Sequence, residues 1–206
     1  MTAELFFIYD SHCPWSYATT PLVNAVNTSF SDITINLWHC AYFSDAESNS
    51  IISQQQIKQV KAQSNVSFSS KYIENLAVIK DSTLCANLMT WATGKAPGQA
   101  LSLLNSIQSA HFGNGNALNS EEALKDIIAE HKLSTPAKVF NAKKLTADAA
   151  AQVHEVYALQ DIIETQAIPA LLLAINDNLI LLDHSLYLQN TEKFIDAINA
   201  ELIKSA

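Results

Sequence analysis

Residues 4–9, ELFFIY, form a short unbroken apolar run of aromatic and β-branched side chains, which predicts a buried strand. Residues 14–30, PWSYATTPLVNAVNTSF, change the period. Pro14 suits the first position of a helix, and Leu22, Val23 and Val26 give that helix an apolar stripe. Pro21 lacks the N–H that a helix interior uses, so it is expected to kink or split the segment. Residues 33–40, ITINLWHC, alternate at Ile33, Ile35 and Leu37 and predict a second strand. Strand, helix and strand in such close succession predict a βαβ unit with a parallel pair.

The pattern then changes. Residues 44–70 are rich in Ser, Gln and Asn, and from there to about Lys144 only helical spacing is found. It recurs over residues 69–79, 82–94, 96–112 and 120–133, punctuated by Gly94 and by Gly113 to Gly115. Asn119 or Ser120, ahead of Glu121 and Glu122, is a capping signal for the last of these. Residues 146–166 read as a long helix. PALLLAIN (169–176) and LILLD (179–183), joined by an Asp-Asn turn, read as a hairpin, and residues 190–204 as a closing helix capped by Asn190 or Thr191. The order βαβ, helical block, α, ββα is the element order of thioredoxin, divided by helices. The expected class is therefore α/β, a thioredoxin-like fold with a large α-helical insertion. The expected division is 1–45 and 146–206 for the two parts of the thioredoxin-like domain and 46–145 for the insertion.

Composition narrows the function. Hydrophobic residues are 49% of the 206, enough for one domain that carries an insertion. The net charge is −8, from 20 acidic and 12 basic residues, and every basic residue is Lys. A nucleic-acid partner is not expected, because there is neither a basic excess nor an Arg fork for phosphate. An anionic ligand would fall to Lys, to backbone N–H groups or to a helix N-terminus. No membrane association is expected either: the longest apolar run, AIPALLLAI (167–175), is too short to span a bilayer. The first strand follows the start directly, with no n-region and h-region, which reads against a signal peptide. Three Cys, at 13, 40 and 85, then suggest reduced thiols in a cytoplasmic protein, with chance sequons at Asn27 and Asn65.

Cys13 lies where the first strand meets the first helix. A thiol there faces unpaired backbone N–H groups and the positive end of the helix dipole, and both favour the thiolate. Ser16, one turn on, can hydrogen-bond the sulfur, and a protonated His12 would add positive charge. Asp10 is placed to cap the turn or to influence the thiol. Cys40 ends the second strand on the same sheet edge and could act as a distant resolving thiol, although a strand-end core Cys is the simpler reading. His12-Cys13 and His39-Cys40 do not converge as metal ligands, since successive strand residues point to opposite faces; no metal is expected. Cys85 reads as core, and His111, His131, His154 and His184 show no ligand or triad spacing. Ile168-Pro169 alone would be an ordinary trans strand opener. In a thioredoxin-like sheet, a cis-proline there faces the active-site cysteine, and its neighbouring backbone can pair with a peptide or thiol ligand.

The stretch YDSHCPWSYA (9–18) resembles the D-x-x-C-P-W-C-Y-G motif of the DsbA-like thioredoxin superfamily, and most closely its cytosolic branch with FrnE-like proteins. Residues 106–133 resemble that family's aromatic turn followed by a capped helix, and residues 158–178 its long helix, cis-proline and hairpin. The chain departs from the motif at Ser16, where the second cysteine is absent. Kappa-class glutathione transferases and 2-hydroxychromene-2-carboxylate isomerases of the same superfamily carry S-P-x-S here. Their glycine and Asp-Arg signature has no counterpart in residues 181–194, which contain no Arg.

The resemblance implies a monothiol thiol-disulfide oxidoreductase, similar to a disulfide isomerase. Cys13 and Ser16 would be catalytic, while Pro14, an exposed Trp15, Ile168 and Pro169 would contact substrate. Asp10, His12 and Cys40 are candidate modulators. No cofactor would be tightly bound, glutathione would serve as co-substrate, and the partner would be a thiol or disulfide of a protein or of glutathione. The oligomeric state is open, with a homodimer among the options. Two alternatives stand beside this reading: a glutathione-dependent transferase or isomerase of the kappa type, and a thioredoxin-like protein that binds thiols or peptides without turnover.

Overall fold

The computed structural model describes residues 2–44, 51–134, 137–141 and 143–205. One sheet has the strand order β2-β1-β3-β4, made by β1 (Ala3–Tyr9), β2 (Ile33–His39), β3 (Ala170–Ile175) and β4 (Asn178–Leu182). β1 runs parallel to β2 and antiparallel to β3, and β3 pairs with β4 as a hairpin. The helix α1 (Pro14–Ser29) makes the crossover that a parallel pair requires. β1 is central and covered on both faces, which is why its sequence is a run of apolar residues without alternation.

Pro21 does not split α1, which runs unbroken from Pro14 to Ser29. The proline is exposed, and the hydroxyls of Thr19 and Thr20 donate to the carbonyls of Trp15 and Ser16 at 3.0 and 2.9 Å in the turn before it. The polar stretch after β2 contains a helix with little periodic signal, α2 (Gln54–Gln63). Only Ile57 and Val60 of α2 are buried, and its start is fixed by the reciprocal hydrogen bonds of Ser53 and Gln56. The helical pattern at residues 69–79 yields only the short α3 (Ser70–Glu74). There follow α4 (Thr83–Lys95), α5 (Pro97–Gln108), α6 (Glu121–Glu130), α7 (Ala137–Asn141), α8 (Ala147–Ile162) and α9 (Thr191–Lys204). α5 continues into a π-helical turn, Ser109–Gly113. None of the described helices is long and apolar enough to cross a membrane.

A large core lies on one face of the sheet. Leu5, Phe7 and Tyr9 of β1 meet Leu22 and Val26 of α1, Phe194 and Ile198 of α9, and Leu88, Leu103 and Ile107 of α4 and α5 in one cluster. A smaller cluster lies on the other face, where Ile8, Leu172, Ala170 and Cys40 meet Val156 of α8. The helices between β2 and α8 thus share a core with the sheet. That shared core brings them over the turn between β1 and α1.

Candidate active site

Cys13 is the N-cap of α1, in extended conformation with φ −83° and ψ 120°, and Pro14 opens the helix. Its N–H donates to the Asp10 carbonyl at 3.1 Å, and its carbonyl accepts from the Tyr17 N–H at 3.0 Å. The side chain makes no cap hydrogen bond, which leaves the sulfur free of that role. Cys13 is only 6% exposed, and Ser16 is fully buried beside it, its hydroxyl accepting from the Asp10 N–H at 3.3 Å. Trp15, expected to be exposed, is half-buried and packs against the main core.

Burial reverses the expected titration of Cys13. Desolvation pushes the thiol above its ordinary value; the Ser16 N–H and hydroxyl and the Trp15 N–H pull it down without overcoming that, and the Asp10 carboxylate adds to the rise. A sulfur closed off from water loses more by becoming charged than these donors restore.

Asp10 ties the site together. One carboxylate oxygen accepts from the His12 N–H at 2.8 Å, an Asx turn that shapes the Cys13 loop. The other accepts from the Phe43 N–H at 3.2 Å and the Ser82 hydroxyl at 2.7 Å. The carboxylate is fully buried and has no cationic partner among the described residues, so it is held by hydrogen bonds alone.

His12 does not supply positive charge. It is fully buried, and desolvation lowers its pKa below the ordinary histidine value despite the nearby Asp10. Its Nε2 lies 3.3 Å from the Ala117 carbonyl and its Nδ1 3.0 Å from the Ser11 hydroxyl. Ser11 Oγ also lies 3.0 Å from His39 Nε2, while His39 Nδ1 accepts from the Ala41 N–H at 3.0 Å. The Ser11 N–H also donates toward His39 Nε2 at 3.1 Å, so backbone donors face both His39 ring nitrogens, while the His12 Nε2–H suits the Ala117 carbonyl and leaves Nδ1 to accept from the Ser11 hydroxyl. Burial lowers the pKa of His39 to about 4, so this ring is neutral near pH 7.

Cys40 lies across the sheet from Cys13, whereas Cys85 shares the Cys13 cluster. The Cys40 N–H donates to the Tyr9 carbonyl at 2.8 Å, on the same sheet edge as Cys13, yet its side chain lies in the smaller cluster beneath α8 while Cys13 lies in the larger one. All three cysteines are free and buried. Burial pushes Cys40 well above its ordinary value and Cys85 up to about 12.

Ile168-Pro169 is cis, and Pro169 is buried at the head of β3. Ile8 pairs with Ala170, so the antiparallel register carries Pro169 opposite Tyr9, at the end of the sheet where the Cys13 turn begins. Ile168 packs against both core clusters. Among the described residues, no group of three or more His, Cys, Asp or Glu side chains could hold a metal ion.

Sequence patterns did not point to Ser11, Ser82 or Tyr72. Ser82 is visible only as a residue preceding a helix, and Tyr72 only as one apolar position in a short helical pattern. The sequence marks His39 only by its neighbour Cys40, whereas its ring contacts Ser11.

No protein-family model matches the chain, and no curated protein sequence matches it. Solved structures do. Cytosolic disulfide reductase DsbM from Pseudomonas aeruginosa superposes with a TM-score of 0.82 at 18% identity, over 97% of this chain and 98% of that one. The same protein crystallised with GSH gives 0.80 at 18% identity, over 97% and 99% of the two chains. A protein from Nitrosomonas europaea, provisionally described as a protein disulfide isomerase, gives 0.76 at 15% identity over 100% of both. The likeness establishes the fold, a thioredoxin-like α/β fold of the DsbA type. Within that class, the cytosolic DsbM matches nearly the whole chain, helices between the strands included.

Proposed function

We propose that this chain is a thiol-disulfide oxidoreductase acting through one thiol, Cys13. The observation that carries the reading is the turn itself: a free cysteine N-caps α1 ahead of Pro14, with a serine one turn on. That DsbM is described as a disulfide reductase, and was crystallised with GSH, supports the reaction class and glutathione as co-substrate. Its description as cytosolic supports a cytoplasmic setting.

The Cys13 thiol gives its proton to solvent, and the thiolate attacks one sulfur of a disulfide. The sulfur–sulfur bond of the substrate breaks as the Cys13 mixed disulfide forms, and the leaving thiolate takes up a proton. A second thiol, from glutathione or the client, attacks the mixed disulfide, frees Cys13 and departs as a new disulfide. Each exchange conserves the number of disulfides, so net reduction of a client draws its electrons from the attacking thiols. Ser16 and the α1 N-terminus stabilise the sulfur anion as it forms, and Pro14, Trp15, Ile168 and Pro169 border the substrate. Without a second cysteine at position 16, the scheme suits reduction, isomerisation and deglutathionylation rather than dithiol oxidation.

The test is intact-mass analysis after oxidised glutathione, with turnover of 2-hydroxyethyl disulfide by reduced glutathione measured alongside. One glutathione adduct, lost in Cys13→Ala, and turnover that depends on Cys13 are expected. An adduct that persists in Cys13→Ala sinks the assignment of the thiol. An adduct without turnover leaves a protein that binds thiols and does not catalyse.

A further inference from the structure

The helices above Cys13 carry polar groups that the exchange reaction does not use. His111 lies on the π-helical turn Ser109–Gly113, an irregularity that recurs at functional sites. Its Nδ1 lies 2.7 Å from the Asn116 carbonyl. A carbonyl only accepts, so Nδ1 holds the proton and Nε2 is a bare acceptor. His111 Nε2 and the Tyr72 hydroxyl have no hydrogen-bond partner, although each residue is only 2% exposed. Their rings meet edge-on with centroids 5.2 Å apart. Native interiors rarely leave such groups unpaired without a purpose.

Both side chains line a cavity of about 490 Å³, together with Lys80, Asp81, Asn116 and Ala117. Lys80 is 6% exposed; its ammonium donates to the Asn75 carbonyl at 2.7 Å and lies 5.7 Å from the centre of the Tyr72 ring. An ammonium has three donors, so Lys80 keeps capacity for a ligand. Asp81 gives one oxygen to the Thr83 N–H at 2.9 Å and keeps the other. Gly115 closes the wall at φ +66°, where a Cβ would lie 2.8 Å from Lys71 Cγ. The cavity adjoins the thiol turn: the His12 and His111 rings meet at a 46° tilt with centroids 4.2 Å apart, and His12 Nε2 lies 3.3 Å from the Ala117 carbonyl.

We propose that this cavity binds the amino-acid zwitterion of a small thiol or disulfide. The α-carboxylate is met by Lys80 and the Tyr72 hydroxyl, and the α-ammonium by His111 Nε2 and Asp81. A wholly anionic ligand such as phosphate would meet a carboxylate and a bare acceptor, so the set favours paired opposite charges. The γ-glutamyl end of glutathione carries such a zwitterion. The inference rests on Cys13 being the reacting thiol only for the direction in which the ligand's sulfur points.

The experiment compares the rate of Cys13 mixed-disulfide formation from oxidised glutathione and from 2-hydroxyethyl disulfide, which has no charged ends. Tyr72→Phe and Lys80→Gln are each expected to slow the first about tenfold, the loss of one charge-assisted hydrogen bond, and to leave the second unchanged. Slowing of both reagents alike, or of neither, overturns the proposal. Calorimetric binding of S-methylglutathione, which cannot exchange, reads the cavity even if Cys13 proves inert. Binding weakened in both variants supports the site; no binding to the unaltered protein means that the cavity holds water alone. Tyr72→Phe removes a hydroxyl without a partner, so its thermal unfolding should match the parent or rise, and a fall would assign the hydroxyl a structural role instead.

Discussion

The Ser82 hydroxyl donates to Asp10 Oδ2 at 2.7 Å, joining residues 72 apart in sequence. One end is the turn that holds Cys13; the other is the N-cap position of α4. The helices inserted between the strands are therefore fastened to the reactive turn by a buried hydrogen bond to a charged group. Asp10 has no cation to balance it among the described residues, so each donor matters.

Ser82→Ala is expected to lower the free energy of unfolding by about 2 kcal/mol, the usual contribution of a hydrogen bond to a buried charge. Asp10→Ala should cost more, because it also strands the His12 and Phe43 N–H groups. Urea unfolding of the two variants checks this order. Equal small losses would mean that water replaces the carboxylate.

Reactivity of Cys13 should respond to Asp10 in the opposite direction from stability. The carboxylate raises the thiol pKa, so Asp10→Asn should lower it and speed alkylation at neutral pH. Ser16→Ala removes a hydroxyl that favours the thiolate, so it should raise the pKa and slow the reaction. Alkylation rates across pH read both shifts, and a parent titration below the ordinary cysteine value would show that the sulfur is less desolvated than its burial implies. Cys40 and Cys85 should stay unmodified in the folded protein, since both are buried and shifted upward.

Acid should loosen the fold before most carboxylates titrate. Burial depresses His39 from 6.5 to about 4, and lowers His12 and His111 as well. The unfolded chain takes up these protons at higher pH than the folded one. The stabilisation is thus complete above the unfolded value and is lost as pH falls through the folded one. His39 alone should account for about 2 kcal/mol between pH 7 and pH 5. Urea unfolding at the two values measures it, and a flat profile would mean that the rings are hydrated in the folded protein.

Ser16→Cys restores a second thiol one turn from the first. The variant is expected to form an internal disulfide on mild oxidation, seen as the loss of two hydrogens in intact mass, and to gain dithiol oxidase activity. If Cys13 and the introduced thiol stay reduced under conditions that oxidise free dithiols, the turn holds its side chains apart. The missing cysteine would then not be what separates this chain from dithiol relatives.

Much of the fold was legible because local patterns carry it. The apolar run of β1, the alternation of β2 and the hairpin of β3 and β4 all appear at the predicted places. α2 was not legible, since Ile57 and Val60 are the only buried positions in a polar stretch and its start depends on a capping box. The helix ending at Ile162 rather than residue 166 reflects Glu164, whose φ of 54° leaves the helical region.

What the sequence determined by itself was order and adjacency. It set a cysteine at the joint of a strand and a helix, a serine one turn on, and a proline at the head of a later strand. Those placements follow from short-range periodicity and from the conformational limits of proline. The tertiary structure decided the sign of the electrostatics. Ser82, Phe43 and Ala117 arrive at the Cys13 turn from distant parts of the chain and close it off from water. Burial then makes His12 neutral and raises the thiol that the helix terminus alone would have lowered. Desolvation sums over everything that surrounds a group, so no local stretch of sequence contains it.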